Sequence, residues 1–458
     1  MKTMMKIFCL LLCLWMVVGV FSSCTSKTPE EGTELPKAEE KKEEKEAKQE
    51  EEPKGLKYTL LSNGSYEVSV GTETDAETIE IPATYQTKKV TSIAESAFYG
   101  CAKLKSIVIP NTITSIGDGA FEECMALRTI TLPASVAKIG EGVFGYCTSL
   151  TNISVASQNQ KYESIDGNLY HKEKYELVQY APGKTESTFE IPYEMRSIGG
   201  GAFLGCSHLT SITIPESITA IGDGAFRDCD ALTSICIPNH VERIGADCFR
   251  ACDRLASVTM PDMLKSIGKA AFKDCKALTA IEIPAGITTI EASAFQNCVL
   301  LETITLPDSV TKIGYDAFYR TKYYDTESNW ENKVLYVGNH LIKAMAAETD
   351  TLTPIVGDYS VKAGTKTIAD GAFYYCARLT SVTLPDGVES IGESAFYYCG
   401  KLKSITIPKS VMKIGDLAVG FCNGLTDIYF KGTETEWQAI QKDTARLPSS
   451  ATIHFDLK

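Results

Sequence analysis

A phenylalanine that recurs every 23 residues constrains the fold of this chain more than any other feature. Twelve units carry it or its one substitute, in three blocks: Phe98, Phe121 and Phe144; Phe203, Phe226, Phe249, Phe272, Phe295 and Phe318; and Phe373, Phe396 and Val419. A fixed period of this length indicates a solenoid, in which each coil packs against its neighbours. Solenoids present surfaces more often than they build a pocket, so the repeat favours a binding protein over an enzyme.

Each unit follows the pattern I-P-x-x-[VI]-x-x-I-G-x-x-A-F-x-x-C-x-x-L-x-x-I-x-[IL]-P. In the unit that begins at Ile214, residues 232–237 alternate and predict a strand, which Pro238 ends because proline cannot donate to a ladder. Residues 218–221 predict a second, shorter strand. The three-residue spacing over 225–232 predicts a helical or 3₁₀ turn. Stacking these units predicts an α/β solenoid of 12 coils with parallel strand ladders.

These motifs resemble the BspA-like (Treponema-type) leucine-rich repeats, which share the L-x-x-I-x-I-P strand, the IG-x-x-AF-x-x-C turn and the 23-residue pitch. The resemblance covers about residues 56–458. It implies a bacterial cell-surface protein, and it makes adhesion to host proteins or to other cells one expected activity. It transfers no catalytic residue, and we expect neither a cofactor nor a bound metal.

The N-terminus predicts export followed by lipid attachment. Lys2 and Lys6 precede an apolar run over residues 7–20, which is too short for a permanent membrane-spanning helix. The run ends in F-S-S-C, which resembles a bacterial lipobox. We therefore expect a signal peptide of residues 1–23 and lipidation of Cys24, which anchors the protein in an outer membrane facing the cell surface or the periplasm. An ordinary secretory signal that is cleaved nearby is the alternative.

The segment after Cys24 is a charged spacer. Between Lys27 and Gly55 it contains 7 Lys and 11 Glu and almost no apolar residue, so it cannot bury enough surface to fold alone. The whole chain carries a net charge of −13, of which the signal segment accounts for +2 and the spacer for −4, leaving about −11 for the remainder. A domain this acidic disfavours nucleic acid and anionic lipid surfaces as partners.

The interruptions of the repeat set the predicted domain boundaries. They give a signal peptide over 1–23, the lipidated cysteine and linker over 24–55, an N-terminal cap over 56–81, repeats over 82–155, an insert over 156–190, repeats over 191–322, a second insert over 323–361, repeats over 362–428 and a C-terminal cap over 429–458.

Turn signals predict hairpins in both inserts and in the first cap. Asp166-Gly167 predicts a hairpin in the first insert, Gly338-Asn339 joins a strand pair over 334–337 and 340–343 in the second, and Asn63-Gly64 marks the N-terminal cap. At the other end, Trp437, Ile440 and Leu447 predict a short helix that closes the core, with Ile453 and Phe455 in a last strand.

Eleven of the 16 cysteines occupy one position of the repeat: Cys101, Cys124, Cys147, Cys206, Cys229, Cys252, Cys275, Cys298, Cys376, Cys399 and Cys422. Thr321 replaces this cysteine in one unit and Ala225 aligns with Cys248, as a small buried packing position tolerates. We therefore expect free structural thiols, with scattered disulfides or metal ligation as weaker alternatives, since no Cys/His cluster has zinc spacing. Asp118 and Asp223 are expected to accept backbone hydrogen bonds rather than act as paired acids.

Two sets of side chains are candidates for ligand binding. The first is a face of outward strand positions, made by Thr129, Thr131, Ser211, Thr213, Ser257, Thr259, Thr303, Thr305, Ser381 and Thr383. Hydroxyl residues also suit any solvated sheet face, so both interpretations stay open. The second set is aromatic and lies in the inserts: Tyr170, Tyr175, Tyr324 and Trp330. These side chains either contact a ligand or cover the solenoid.

The function predicted from these features is that of a non-enzymatic, lipid-anchored adhesin or interaction scaffold that binds a protein or a glycan. A glycan-capture lipoprotein beside an outer-membrane transporter is one alternative, and it requires that the insert aromatics be exposed. A periplasmic scaffold is another. A hydrolase built into the inserts is disfavoured because both inserts are too short to add a catalytic domain.

Overall fold

The computed structural model describes residues 55–72, 74–346, 354–442 and 451–456. These residues form a β-solenoid of about 16 turns with parallel strand ladders and almost no helix. The predicted solenoid is confirmed, and it has more than 12 turns because both inserts and both caps add strands to the ladders. The predicted signal peptide, Cys24, the linker and Leu447 lie outside the described residues.

The longer strand of each repeat contributes to what we call the front ladder. Its strands pair in parallel with a register of one repeat, as Ser234 with Ser257 shows. Ile235 is buried between the exposed Ser234 and Cys236, so the predicted alternation is confirmed. The strands are Thr78–Glu80, Ser106–Val108, Thr129–Leu132, Asn152–Val155, Thr188–Glu190, Ser211–Thr213, Ser234–Cys236, Ser257–Thr259, Ala280–Glu282, Thr303–Thr305, Gly357–Ser360, Leu379–Thr383, Ser404–Pro408, Asp427–Lys431 and Thr452–His454.

The shorter strand of each repeat contributes to the side ladder. It usually ends at the glycine of the I-G motif, whose neighbours in the preceding coil leave little room for a Cβ atom. A Cβ on Gly222 would lie 2.4 Å from the Gly200 nitrogen. The strands are Lys88–Ile93, Ser115–Ile116, Lys138–Ile139, Ser197–Ile198, Ala220–Ile221, Arg243–Ile244, Ser266–Ile267, Thr289–Ile290, Lys312–Ile313, Thr367–Ile368, Ser390–Ile391, Lys413–Ile414 and Gln441–Lys442.

The remaining elements belong to the caps and the inserts. They are the strands Leu56–Leu60, Tyr66–Val70, Thr84–Tyr85, Tyr162–Ile165, Asn168–His171, Glu176–Gln179, Trp330–Glu331, Val334–Val337 and His340–Ala344, the α-helices Lys322–Asp325 and Glu434–Ala439, and the 3₁₀ helix Glu327–Asn329.

The A-F-x-x-C segment forms a turn where the sequence predicts a helical turn. Its amides alternate between two kinds of partner. Phe226 donates to the Cys248 carbonyl of the next coil at 2.8 Å, whereas Cys229 donates within its own coil to the Phe226 carbonyl at 3.3 Å. The second residue after the phenylalanine is left-handed, with φ of 55° at Asp228. Hydrogen bonds between coils therefore alternate with bonds inside each coil, and the segment forms successive turns rather than a helix.

The repeating phenylalanines and cysteines form the core. Phe226 and Phe249 stack with their ring centres 5.1 Å apart and their planes 2° apart, and the same stacking runs through each block. The Cys229 thiol donates to the Phe203 carbonyl of the preceding coil at 3.2 Å. All eleven repeat cysteines are buried free thiols, and Thr321 fills the same position with no exposed surface. The predicted buried packing position is confirmed.

The first insert contains the predicted hairpin and divides the core. Strands Tyr162–Ile165 and Asn168–His171 pair across Asp166-Gly167. On the second strand, Leu169 packs into the core of the first block, whereas Tyr170 packs into the core of the second and third. This hairpin therefore closes one core and opens another, and Tyr170, with 1% exposure, is a core residue.

The second insert contains the predicted strand pair and continues the core. Strands Val334–Val337 and His340–Ala344 are antiparallel, and the latter runs parallel to Thr367–Ile368 in the side ladder. Val334 and Leu341 have no exposed surface and belong to the same core as both flanking blocks. Blocks two and three therefore share one hydrophobic core.

The N-terminal cap takes the predicted form, whereas at the C-terminal end the helix stops before Ile440 and the last strand, Thr452–His454, stops before Phe455. Strands Leu56–Leu60 and Tyr66–Val70 make the N-terminal hairpin. At the other end, Thr433 and Glu436 form a capping box for the helix Glu434–Ala439, and Trp437 is buried with its ring 5.2 Å from Phe430. Trp437 therefore covers the last coil, as predicted.

Candidate interaction surfaces

The predicted hydroxyl face lies on the outside of the front ladder. Nine of its ten residues are exposed, and Ser381 is half-buried because its hydroxyl donates to Asp358 at 2.7 Å. Each member lies beside an outward residue of a neighbouring coil, as Thr303 lies beside Ala280 and Thr305 beside Glu282. The face is therefore a regular, mostly uncharged surface whose side chains repeat at the coil spacing.

The insert aromatics separate into three environments. Tyr170 is buried, which corrects its assignment as a candidate binding residue: the hairpin strand has core on both of its sides. Tyr175 is 52% exposed and projects from a left-handed turn. Tyr324 and Trp330 are half-buried and meet edge to face at 5.1 Å, and the Trp330 indole N–H donates to the Tyr324 carbonyl at 2.7 Å.

Tyr324 and Trp330 line a cleft of about 590 Å³. Lys343 extends into this cleft, donates to the Gly371 carbonyl at 2.9 Å and lies 5.0 Å from the centre of the Tyr315 ring. Burial lowers the pKa of Lys343, and burial raises the pKa of Tyr324. These side chains are held by the cleft, so they offer no open aromatic platform.

The turn aspartates act as backbone acceptors, as predicted. Asp118 accepts from the Glu141 amide at 3.0 Å, and Asp223 accepts from the Ala246 amide at 2.9 Å. Asp370 repeats this contact with Glu393 at the junction of the second and third blocks, where burial raises its pKa to about 6. These carboxylates therefore join neighbouring coils.

Sequence analysis missed an aromatic surface on the turns of the third block. Between the repeat phenylalanine and cysteine, these turns carry Tyr374, Tyr375, Tyr397, Tyr398 and Phe421, which we call the aromatic ridge. Phe421 is 52% exposed and Tyr398 37% exposed. The F-Y-Y-C motif in two successive repeats, residues 373–376 and 396–399, is the sequence signal for this surface.

Within the described parts of the chain, no three His, Cys, Asp or Glu side chains are grouped so that they could hold a metal ion. The same residues include no helix whose length and hydropathy suffice to cross a membrane.

The fold and the repeat define a leucine-rich repeat protein, a class whose members are generally scaffolds rather than enzymes. The model of the BspA type leucine-rich repeat region matches six copies, over residues 72–183, 183–298, 265–346 and 357–444, which is more than half of the chain. The chain therefore belongs to this family, which confirms the resemblance drawn from the motifs.

Solved structures of leucine-rich repeat proteins are similar to this chain. One from Eubacterium ventriosum is 23% identical over 62% of this chain and 96% of its own, with a TM-score of 0.42. One from Bacteroides ovatus is 24% identical over 88% of this chain and 89% of its own, with a TM-score of 0.34. A leucine rich cell surface protein from Faecalibacterium prausnitzii is 25% identical over 85% and 96%, with a TM-score of 0.30. No curated protein matches the chain.

Proposed function

We propose that this protein is a non-enzymatic bacterial lipoprotein, anchored through Cys24 in the outer membrane, whose repeat domain faces the cell surface and acts as an adhesin or interaction scaffold. The observation that carries the proposal is the hydroxyl face of the front ladder, which repeats over all three blocks.

Such a face suits extended contact with another macromolecule. The ten predicted residues are short and uncharged, as Ser257 and Thr259 are in their coil, and they include no aromatic or arginine side chain. Affinity then has to come from many modest contacts in register, because no single side chain forms a dominant hot spot. An adhesin displayed in many copies on a cell gains further from multivalency.

The N-terminal sequence supports the proposed location at the membrane. The lipobox-like F-S-S-C is followed by a charged segment that ends where the first strand begins at Leu56. A spacer of this composition keeps a folded domain away from the membrane surface. Similarity to a protein described as a cell surface protein agrees with this location.

The structure gives the glycan-capture alternative less support than the sequence did. It required that the insert aromatics form a platform, but Tyr170 is buried, and Tyr324 and Trp330 are held in their cleft. Of the four predicted residues, only Tyr175 is largely exposed.

The decisive experiment is protease shaving of intact cells, followed by immunoblotting with an antibody against residues 56–458 and with a periplasmic control protein. We expect the domain to be lost while the control survives. A matched Cys24→Ser strain should lose incorporation of labelled palmitate and release the protein from the membrane fraction. Full protection of the domain would overturn the surface assignment and favour a periplasmic scaffold.

A further inference from the structure

The aromatic ridge occupies backbone positions at which the fold also accepts polar residues. The left-handed position that Tyr375, Tyr398 and Phe421 fill is occupied in the second block by Gly205, Asp228, Ala251, Asp274, Asn297 and Arg320, all at positive φ. In that block the preceding position holds Leu204, Arg227, Arg250, Lys273, Gln296 and Tyr319. Packing therefore does not require tyrosine or phenylalanine in the third block.

Three of the ridge residues also sit where bulky side chains are disfavoured. Tyr375, Tyr398 and Phe421 have φ of 60°, 59° and 55°. Glycine, asparagine and aspartate adopt this region most readily, and a large side chain there costs free energy. Backbone strain that packing does not require is a reason to look for function.

The ridge rings form two columns in a herringbone arrangement. Tyr375, Tyr398 and Phe421 stack at successive centre distances of 4.7 and 4.8 Å, and Tyr374 stacks on Tyr397 at 5.4 Å. Between the columns the planes cross at steep angles, 87° for Tyr397 and Tyr398. Neighbouring rings thus cover the faces within each column, and only the rings at the column ends, such as the half-exposed Phe421, keep an unstacked face.

The chemistry that the ridge offers is neutral and rich in donors. All five side chains are uncharged, whereas the equivalent positions of the second block include Arg227, Asp228, Lys273 and Asp274. Among the described residues, no partner is hydrogen-bonded to the hydroxyls of Tyr374, Tyr375, Tyr397 or Tyr398. A matching ligand is therefore uncharged, largely apolar and supplied with regularly spaced acceptors.

We propose that the aromatic ridge binds a proline-rich polypeptide segment in the polyproline II conformation. Such a segment has no internal hydrogen bonds, so its carbonyls are free to accept from tyrosine hydroxyls, and its proline rings are apolar. Its turn of three residues rises about 9 Å, close to two steps of the ridge column. Aromatic-lined surfaces are a recurring means of recognising this conformation, because little entropy is lost on binding.

This inference rests on the proposed function as a binding protein and adds the chemistry of one partner. The test is titration of a fluorescently labelled proline decamer with the whole chain in detergent, followed by anisotropy. A glycine-serine decamer of equal length and a soluble glucan serve as comparison ligands. Because the titration does not depend on where the protein sits in the cell, its result is independent of the shaving experiment.

The main variant combines Tyr375→Asn, Tyr398→Asn and Phe421→Asn, since Asn297 fills this position at φ 63° in the second block. We expect affinity for the proline decamer to fall by about tenfold or more, with an unfolding midpoint that is unchanged or higher. A second variant, Tyr374→Gln with Tyr397→Gln, copies Gln296 and should weaken binding in the same direction. Tyr99→Asn, which removes an exposed tyrosine outside the ridge, should leave affinity within about twofold.

Three outcomes would overturn the proposal. The first is that the proline decamer does not bind saturably to the unaltered chain. The second is that both ridge variants bind it as well as the unaltered chain does, or that the glycine-serine decamer competes equally. The third is that the glucan binds and loses affinity in the ridge variants while the peptide does not bind, which would assign the ridge to carbohydrate.

Discussion

The two inserts interrupt the same repeat and have opposite effects on the core. The first places Leu169 and Tyr170, neighbours in one strand, in two separate hydrophobic cores. The second places Val334 and Leu341 in a core that continues through both of its flanking blocks. An insertion into a solenoid can therefore act either as an internal cap or as one more coil.

Side-chain hydrogen bonds account for much of the difference. In the first insert, Asn159 is fully buried, donates to the Pro133 and Val136 carbonyls and accepts from two amides. Gln179 accepts from the Phe144 amide and donates to the Ala202 carbonyl, so it bridges the first and second blocks. At this boundary buried amides join the coils, whereas the second insert joins them with mainly apolar strands and one buried ring, His340, which is hydrogen-bonded to the Pro307 carbonyl at 3.0 Å.

A matched pair of core substitutions gives the largest expected effect. Leu169→Ala and Leu341→Ala each remove a side chain with no exposed surface, and each should cost about 2–5 kcal/mol of unfolding free energy. Hydrogen exchange measured by mass spectrometry should show that Leu169→Ala lowers protection in the first block alone. Leu341→Ala should lower it in the second and third blocks together.

Equal loss of protection in all three blocks from Leu169→Ala would show that the division of the core has no energetic consequence. The reverse pattern, in which Leu341→Ala affects one flanking block only, would place a boundary at the second insert as well.

Removing the amide of the first insert should have a smaller effect. Asn159→Ala leaves four buried backbone groups without their partner, and we expect a loss of about 1–3 kcal/mol, confined to the first block. Denaturant unfolding followed by hydrogen exchange measures it. Gln160→Ala, which removes an exposed amide next in sequence, should change stability by less than about 0.5 kcal/mol.

The junction beside the second insert should respond to pH through Asp370. Burial raises the pKa of this carboxyl from 3.8 to about 6. Since the folded-state pKa is the higher one, its contribution to stability is complete below pH 3.8 and is lost as the pH rises through about 6. Asp370→Asn, which can still accept from Glu393, should therefore be more stable at neutral pH by roughly 1–2 kcal/mol.

Thermal unfolding at several pH values would measure this effect, with Asp223→Asn as a control for placing an amide at an equivalent turn. The interpretation fails if Asp370→Asn and the unaltered chain keep the same stability difference from pH 4 to neutral pH, since the difference must arise within that interval.

The repeat cysteines report on both cores. Labelling them needs no substitution, so this experiment perturbs the molecule least. Burial raises the pKa of Cys124 to about 12, which suppresses the reactive thiolate. In pulsed alkylation with increasing denaturant, Cys236 should be labelled first because it is exposed. Cys101, Cys124 and Cys147 should then be labelled at a midpoint different from that of the other repeat cysteines. A single midpoint for all of them would argue against two cores.

The repeat made most of the fold predictable, because a fixed period specifies which side chains face inward in every coil. The hairpins at Asp166-Gly167 and Gly338-Asn339 followed from local turn chemistry. The turn after Ala225 was less accessible: a three-residue spacing of apolar side chains fits a helical turn and this turn equally well. Hydrogen bonds between coils decide between them, and they are not encoded in one unit.

The candidate surfaces were predicted less completely. Outward strand positions follow from alternation, so the hydroxyl face was found. Burial of Tyr170 was not, because alternation assigns Leu169 and Tyr170 to opposite sides without showing that both sides are covered. The aromatic ridge stands out only through the backbone: Tyr375 has the same left-handed conformation that Asp274 and Asn297 have in other coils.

The evenly spaced thiols also constrain how this chain can mature. If it is exported as proposed, it crosses into an oxidising compartment unfolded, with chemically equivalent sulfhydryl groups at equal intervals. Any disulfide between two repeat cysteines would then close a loop of whole coils, and the local sequence does not favour one such disulfide over another. Folding buries the repeat thiols, and most of them lie beside a phenylalanine carbonyl of the previous coil, as Cys229 lies beside Phe203. Correct maturation therefore requires that the coils stack faster than the thiols are oxidised. Rapid folding, or a reductant that keeps the thiols reduced until the coils have stacked, would meet this requirement.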